Sequence, residues 1–380
     1  MTKRKTALLT LGRLPKGLDI ARALDRAGWR VIVAEPCRWH LTAVSRAVAE
    51  SIAVPSPVDD RDGYDMAMLG IVRSHDVSLI VPVSEECLYV AALAERLPAG
   101  VRILSMPLAV VDALHDKFLF ARRCETLGLA VPETVRLDQA GTKALLGQGA
   151  VVIKGRNSCS GTGLEFVAAG STPPHRLYPA DWVAQQQVDG ELVSTYSIAH
   201  NGTVATTVTY RGTVMSGTVA VSFERIDSPV AVATWIERFV AATDYSGQIS
   251  FDFIIDSADK PWAIECNPRA TSGVHFIRED RLADILLNPD AGTADVLRPQ
   301  RHLMQFYPCL TELQRLMFKP GFVEVWRAFR DAKDASFKWR DPLPLWTLPI
   351  TAARIMRLAL FSGKSFGEAA TFDIEWQGSA

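Results

Sequence analysis

The sequence is poor in the features that staple, anchor or polarise a chain. Its six cysteines (Cys37, Cys87, Cys124, Cys159, Cys266 and Cys309) are scattered, with no CxxC pair and no Cys/His cluster. That spacing excludes a zinc-finger pattern and argues against a disulfide-built secreted fold, so a reducing compartment, the cytoplasm, is the expectation. An excess of one charge is lacking too, because 41 basic residues face 42 acidic ones. No whole-chain field draws in nucleic acid, and none is expected as a partner. Long apolar runs are missing. The longest stretch free of Asp, Glu, Lys and Arg, Leu192–Tyr210, is studded with Ser, Thr, Asn and His and reads as no transmembrane segment. Near the start, the apolar run Ala7–Leu11, interrupted only by Thr10, is too short for a signal core and suited to a buried first strand.

What is present is ordinary globular composition, 48% apolar and 22% charged over 380 residues, enough for two or three domains. Residues 1–112 alternate β-branched runs (Thr6–Thr10, Val31–Ala34, Leu79–Val83, Val101–Leu104) with amphipathic stretches (Leu18–Gly28, Tyr64–Ser74, Glu85–Leu97). That rhythm predicts a parallel sheet covered by helices. Gly12 and Gly17 have the spacing of a phosphate loop, but no Lys-Ser/Thr pair follows Gly17, so they read as strand-to-helix punctuation.

From 113 to 300 strands dominate, among them Ala150–Lys154, Trp182–Val188, Val204–Arg211, Val214–Phe223, Ile249–Ile255 and Pro261–Cys266. One clear helix, Pro229–Thr243, repeats Val232, Trp235, Ile236 and Phe239 at helical spacing. Antiparallel α+β structure fits this region. Residues 301–380 are rich in tryptophan, and between Arg315 and Lys364 ten basic residues meet four acidic ones. Thr351–Phe361 reads as a helix after a connector stiffened by Pro342, Pro344 and Pro349. Packing on the body or on a second subunit is the favoured reading of this extension, and an interfacial helix at an anionic membrane is the alternative.

Three features carry chemistry. Lys154 ends a buried strand and is followed by a Gly/Ser-rich loop that includes Ser160, Gly161 and Gly163. A cation beside flexible backbone N–H groups suits phosphate oxygens, although such a loop is also a common hairpin turn. Asp252, Glu265 and Asn267 lie on two candidate strands, and Glu265 and Asn267, two apart, share a face. Two carboxylates and an amide oxygen suit Mg²⁺, or they are solvated positions on an exposed sheet face. Arg269 follows Pro268 and offers a planar fork to a phosphoryl group. Arg225, read between a strand and a helix, is a candidate for a substrate carboxylate. His275 is a candidate substrate contact or a plain loop histidine. Cys159 has no paired histidine and fits the glycine loop as a small residue.

On Lys154 with its loop and on the string AIECNPRATSG, residues 1–300 resemble the ATP-grasp enzymes, in their carboxylate–amine-ligase and carbamoyl-phosphate-synthetase-like branches. The resemblance implies an α/β and α+β protein of ATP-grasp architecture. An N-terminal parallel α/β domain (1–112) would precede two lobes (about 113–185 and 186–300) and a helical C-terminal extension (301–380). It implies ATP held by Lys117, Lys154 and the glycine loop, with adenine contacts at Gln186, Gln187 and Val188 and a ribose contact at Glu191. It further implies two Mg²⁺ ions on Asp252, Glu265 and Asn267, and Arg269 near the transferring phosphoryl group. The substrates would be a small carboxylate and an amine, joined through an acyl phosphate, and a homodimer is in keeping with the family. Gly155 stands where proline often follows the lysine, and Gln186 replaces a common acidic residue. A kinase acting on an enol or carboxylate, or a non-catalytic nucleotide-binding subunit, are the rival readings.

Overall fold

The computed structural model describes residues 4–137, 139–158, 163–171, 182–362 and 371–376. The first layer is a five-stranded parallel sheet of β1 (Thr6–Leu9), β2 (Arg30–Glu35), β3 (Glu50–Ala53), β4 (Val77–Val81) and β5 (Arg102–Ile103), in the order β3-β2-β1-β4-β5. β1 is buried along its whole length, as a parallel strand covered on both faces must be. Its neighbour β3 is largely exposed and lacks an apolar pattern, which is why the sequence rhythm passes over it. Helices α1 (Pro15–Arg26), α2 (Arg61–Ser74), α3 (Cys87–Ala92) and α4 (Leu108–His115) accompany this sheet. Pro15 opens α1 at a position where its missing N–H costs nothing.

Helix α5 (Lys117–Thr126) leads into a small sheet of β6 (Thr134–Arg136), β7 (Val151–Gly155), β8 (Glu165–Val167) and β9 (Trp182–Gln186), ordered β6-β9-β7-β8, with α6 (Gln139–Gln148) beside it. Asp116 caps α5 by accepting from the N–H groups of Phe118 and Leu119. The large sheet contains β10 (Glu191–His200), β11 (Thr203–Ser216), β12 (Val219–Ile226), β13 (Gly247–Ile255), β14 (Pro261–Asn267), β15 (His302–Met304) and β16 (Lys333–Asp334). Its order is β14-β13-β10-β11-β12-β15-β16, antiparallel except for the last pair. The expected strand Val214–Phe223 is in fact a hairpin. Gly217 takes the left-handed conformation that a tight turn needs (φ 62°), whereas Gly212 passes inside β11 as a register irregularity.

Helix α7 (Val230–Thr243) lays Val232, Trp235, Ile236 and Phe239 against Phe251 and Phe253 of β13, with Trp235 and Phe253 edge to face at 5.1 Å. A second core is shared between the parallel sheet and the large one, joining Leu9, Ile20 and Val81 to Tyr196, Phe276 and Ile285, the last from α8 (Glu279–Leu287).

The C-terminal segment folds as α9 (Phe306–Arg315), α10 (Phe322–Asp331) and α11 (Leu343–Ser362). The expected proline connector is helical instead: Pro344 sits in the first turn of α11, where proline is tolerated, and Pro349 lies inside it and forgoes one hydrogen bond. The segment is tied back to the first layer. The Arg22 guanidinium donates to the Asp341 carboxylate (2.9 Å) and to the Ser336 carbonyl (2.6 Å), and Arg13 donates to Asp373 (2.7 Å). Trp376 is buried in the core of the parallel sheet, 4.8 Å from the Tyr89 ring, and donates to Asp112. Among the described residues no helix is long and apolar enough to cross a membrane.

Candidate active site

The chemistry-bearing residues meet because β13 pairs with β14 in a register that sets Asp252 opposite Glu265 and Ser250 opposite Asn267. Alternation along β14 then keeps Glu265 and Asn267 on one face. The Asn267 amide reaches both carboxylates, at 3.4 Å from Asp252 and 3.3 Å from Glu265, and Ser194 donates to Asp252 at 2.5 Å. Burial and the adjacent Glu265 charge push the Asp252 carboxyl well above the usual carboxylate range. Burial would raise Glu265 as well, but the Lys117 and Lys154 ammonium groups outweigh it and hold Glu265 low. Two facing carboxylates, one of which favours its proton, are a donor set that a divalent cation suits, since the metal replaces that proton.

Lys117, the first residue of α5, places its Nζ 3.6 Å from Glu265 and donates to the Ser158 carbonyl. Lys154 of β7 donates to Gln185 Oε1 (2.8 Å) and to the Ile264 carbonyl (3.0 Å). Its burial lowers the ammonium to about 8, against a partial lift from Glu265. These groups line one cavity of about 670 Å³, a size suited to a cofactor-sized ligand. At one end the walls are apolar, with Val152, Phe166, Leu192, Ile254 and Ile264 around the chain segment Gln185–Val188. Gln186 and Gln187 already donate their backbone N–H groups, to Glu133 and Ala150 (both 2.8 Å), whereas Val188 N–H has no hydrogen bond among the described residues. Gly190, just beyond, lies so close to the Ile255 carbonyl that an added Cβ would stand 2.1 Å from its oxygen.

Arg269 borders the same cavity. Its guanidinium donates to Asn267 Oδ1 (2.9 Å) and is paired with Glu85, a buried carboxylate from the loop after β4. Glu85 and its neighbour Lys16 are site residues that sequence reasoning missed. Lys16 Nζ donates to the Ala270 carbonyl (2.8 Å) and to Ser84 (3.1 Å). Burial first, and the nearby Arg269 charge second, lower its ammonium. The only signal for them is Ser84-Glu85-Glu86 directly after a buried strand, where the loop ends of a parallel sheet gather ligands.

The remaining candidates separate. Gly163 is described and lies against the Trp182 ring, while Ser160, Gly161 and Cys159 fall outside the described residues. Glu191 is exposed and paired with Arg211 (2.7 Å), away from the cavity lining. Arg225 lies inside β12 rather than after it, donates to the Arg298 carbonyl (3.2 Å), and does not line the cavity. His275 borders the cavity but sits in a buried 3₁₀ turn, its Nδ1 bonded to Asp19 (2.7 Å), not in a loop.

Residues 114–273 match the family model of the ATP-grasp domain. No curated protein sequence matches the chain. The fold is similar to an L-amino acid ligase from Bacillus licheniformis (16% identity, 79% of each chain, TM-score 0.59). It is also similar to N5-carboxyaminoimidazole synthetase from Staphylococcus aureus complexed with ADP (16% identity, 78% of each chain, TM-score 0.58). A biotin carboxylase–β-γ-ATP complex from Campylobacter jejuni is a third (14% identity, 79% of this chain and 73% of that one, TM-score 0.59). At such identities the likeness establishes the fold.

Proposed function

Since the chain carries an ATP-grasp domain over residues 114–273, we propose that it is a cytoplasmic, ATP-dependent ligase that joins a small carboxylic acid to an amine and releases ADP and phosphate. The observation that carries this reading is the meeting, in one cavity, of Lys117, Lys154, Arg269 and the cross-strand pair Asp252–Glu265. Adenine fits between the apolar walls, with Val188 N–H as its backbone donor. Lys117 and Lys154 hold phosphate oxygens by charge-assisted bonds. Asp252, Glu265 and Asn267 would hold Mg²⁺, which neutralises charge on the phosphates.

In this reading a substrate carboxylate oxygen attacks the γ-phosphorus and the β–γ bridge oxygen leaves with ADP. The amine then attacks the acyl carbon and expels phosphate. Arg269 lies where charge develops on the phosphoryl group, and Glu85 orients its guanidinium from behind. Contacts that select the acid fall to the end of the cavity where Lys16 and Ser84 of the first layer meet Ala270.

The test is an ADP-release screen crossing carboxylic acids with amino acids, amines and ammonia, followed by ¹⁸O labelling of the active carboxylate. One label per amide is expected in inorganic phosphate. Label in AMP, with pyrophosphate released, would overturn the mechanism, and a stable phosphorylated product formed without amine would make the protein a kinase. Glu265→Gln is expected to abolish turnover while the melting curve stays cooperative, since an amide does not replace a carboxylate on Mg²⁺. Wild-type turnover of that variant at saturating Mg²⁺ would move the metal elsewhere.

A further inference from the structure

The C-terminal extension contributes one helix face to the cavity, where Leu348, Thr351 and Ala352 of α11 stand in its lining. The opposite face is different. Leu343, Trp346 and Ile350, spaced three and four apart, point to solvent, and the Trp346 side chain is 73% exposed. Helix α10 repeats the arrangement: Val325 is buried, while Val323, Trp326, Arg327 and Arg330 share an exposed face. In the turn between α9 and α10, Phe318 adopts a left-handed backbone conformation (φ 65°) that bulky residues avoid, and its ring is 94% exposed. Trp339, ahead of α11, is 87% exposed. Trp326 stacks on Phe322 and Phe329, but burial within the chain accounts for none of Phe318, Trp339 and Trp346.

We propose that these exposed aromatic and basic residues of the C-terminal extension seat the protein on an anionic lipid surface. The cations argue for that occupant. Residues 315–364 carry ten basic and four acidic side chains, although the whole chain is nearly neutral. Lys319, Arg327, Lys333 and Arg340 are exposed and, among the described residues, form no salt bridge. Tryptophan rings and the stems of basic residues settle together at the boundary between headgroups and acyl chains. A second copy of the chain fits less well, because a two-fold interface would bring one cationic face against its twin. Among the described residues no helix is long and apolar enough to cross the bilayer, and the proposal has the extension lie on the surface.

Co-sedimentation of the full chain with vesicles of phosphatidylcholine alone, and of phosphatidylcholine with phosphatidylglycerol, tests the proposal without reference to the enzymatic reading. Binding is expected only to the anionic vesicles, and it should weaken as salt is raised. Lys319→Ala and Arg327→Ala should each lower partitioning about fivefold. Trp326→Ser combined with Trp346→Ser should remove most of the remainder. Trp39→Ser, at a 64% exposed tryptophan in the first layer, should change nothing. No binding to anionic vesicles, or binding that all of these variants keep, would overturn the proposal. A dimer of the wild type that the Trp326 and Trp346 variants dissociate would give this face to a second copy and overturn it as well. If the tryptophan variants fail to fold, the two alanine substitutions at exposed cations carry the test alone.

Discussion

Lys154 shows how one buried cation is tuned for work. Its ammonium, lowered to about 8 by burial, keeps two acceptors, Gln185 and Ile264, that hold it at the cavity wall. In the proposed function replacement by alanine removes a charge-assisted contact to phosphate, so Lys154→Ala should weaken Mg·ATP binding by about 1.5–3 kcal/mol in calorimetry. The pH dependence has a definite sign. The charged form, the one proposed to bind phosphate, is fully present well below pH 8, so nucleotide affinity should be flat there. It should fall as pH rises above 8, approaching about tenfold per unit. The Lys154→Ala variant should lose this alkaline limb. Unchanged affinity in that variant, or a limb that persists in it, would place the phosphates elsewhere.

At the scale of elements, the site depends on how β9 hands over to β10. Gly190 leaves no space for a side chain against the Ile255 carbonyl, so Gly190→Ala must push the Gln187–Val188 segment away from β13. The expected outcome is a folded protein with unchanged secondary-structure content and weaker ADP binding, checked by the far-UV spectrum and by calorimetry. The hairpin of β13 and β14 was readable in the sequence because chemistry and alternation coincide there: Asp252, Glu265 and Asn267 stand out against apolar neighbours on short strands. Helix α7 was readable for the same reason at helical spacing. Glu85 and Lys16 were not, because the string Ser84-Glu85-Glu86 after β4 is their one faint local mark. They reach Arg269 and Ala270 only through the packing of the parallel sheet on the large one, over a sequence distance that no periodicity spans. Arg225 is the opposite case. It has the residue type for an anion, but its strand turns it toward the Arg298 carbonyl. Proline misled at α11, where tertiary packing carries a helix through Pro349.

For the whole molecule, the decisive connection is between the first layer and the last residues. Trp376 is 5% exposed, closes the core around Tyr89 and donates to Asp112, while Arg22 and Arg13 anchor Asp341 and Asp373. Trp376→Ala should therefore destabilise the parallel sheet by about 3–5 kcal/mol in urea unfolding, although the substitution is remote from the cavity. A loss under 1 kcal/mol would show that the tryptophan only decorates a finished core. The same connection sets an order of events during synthesis. All five strands of the first sheet have been made once Ile103 emerges, yet the tryptophan that completes their core, Trp376, is made only after the whole large sheet has followed. At roughly 5–20 residues per second, the nascent sheet waits more than about ten seconds with that flank open. The parallel sheet is thus made well before it is finished, and chaperones that shield apolar surface on the ribosome have a long task at this layer.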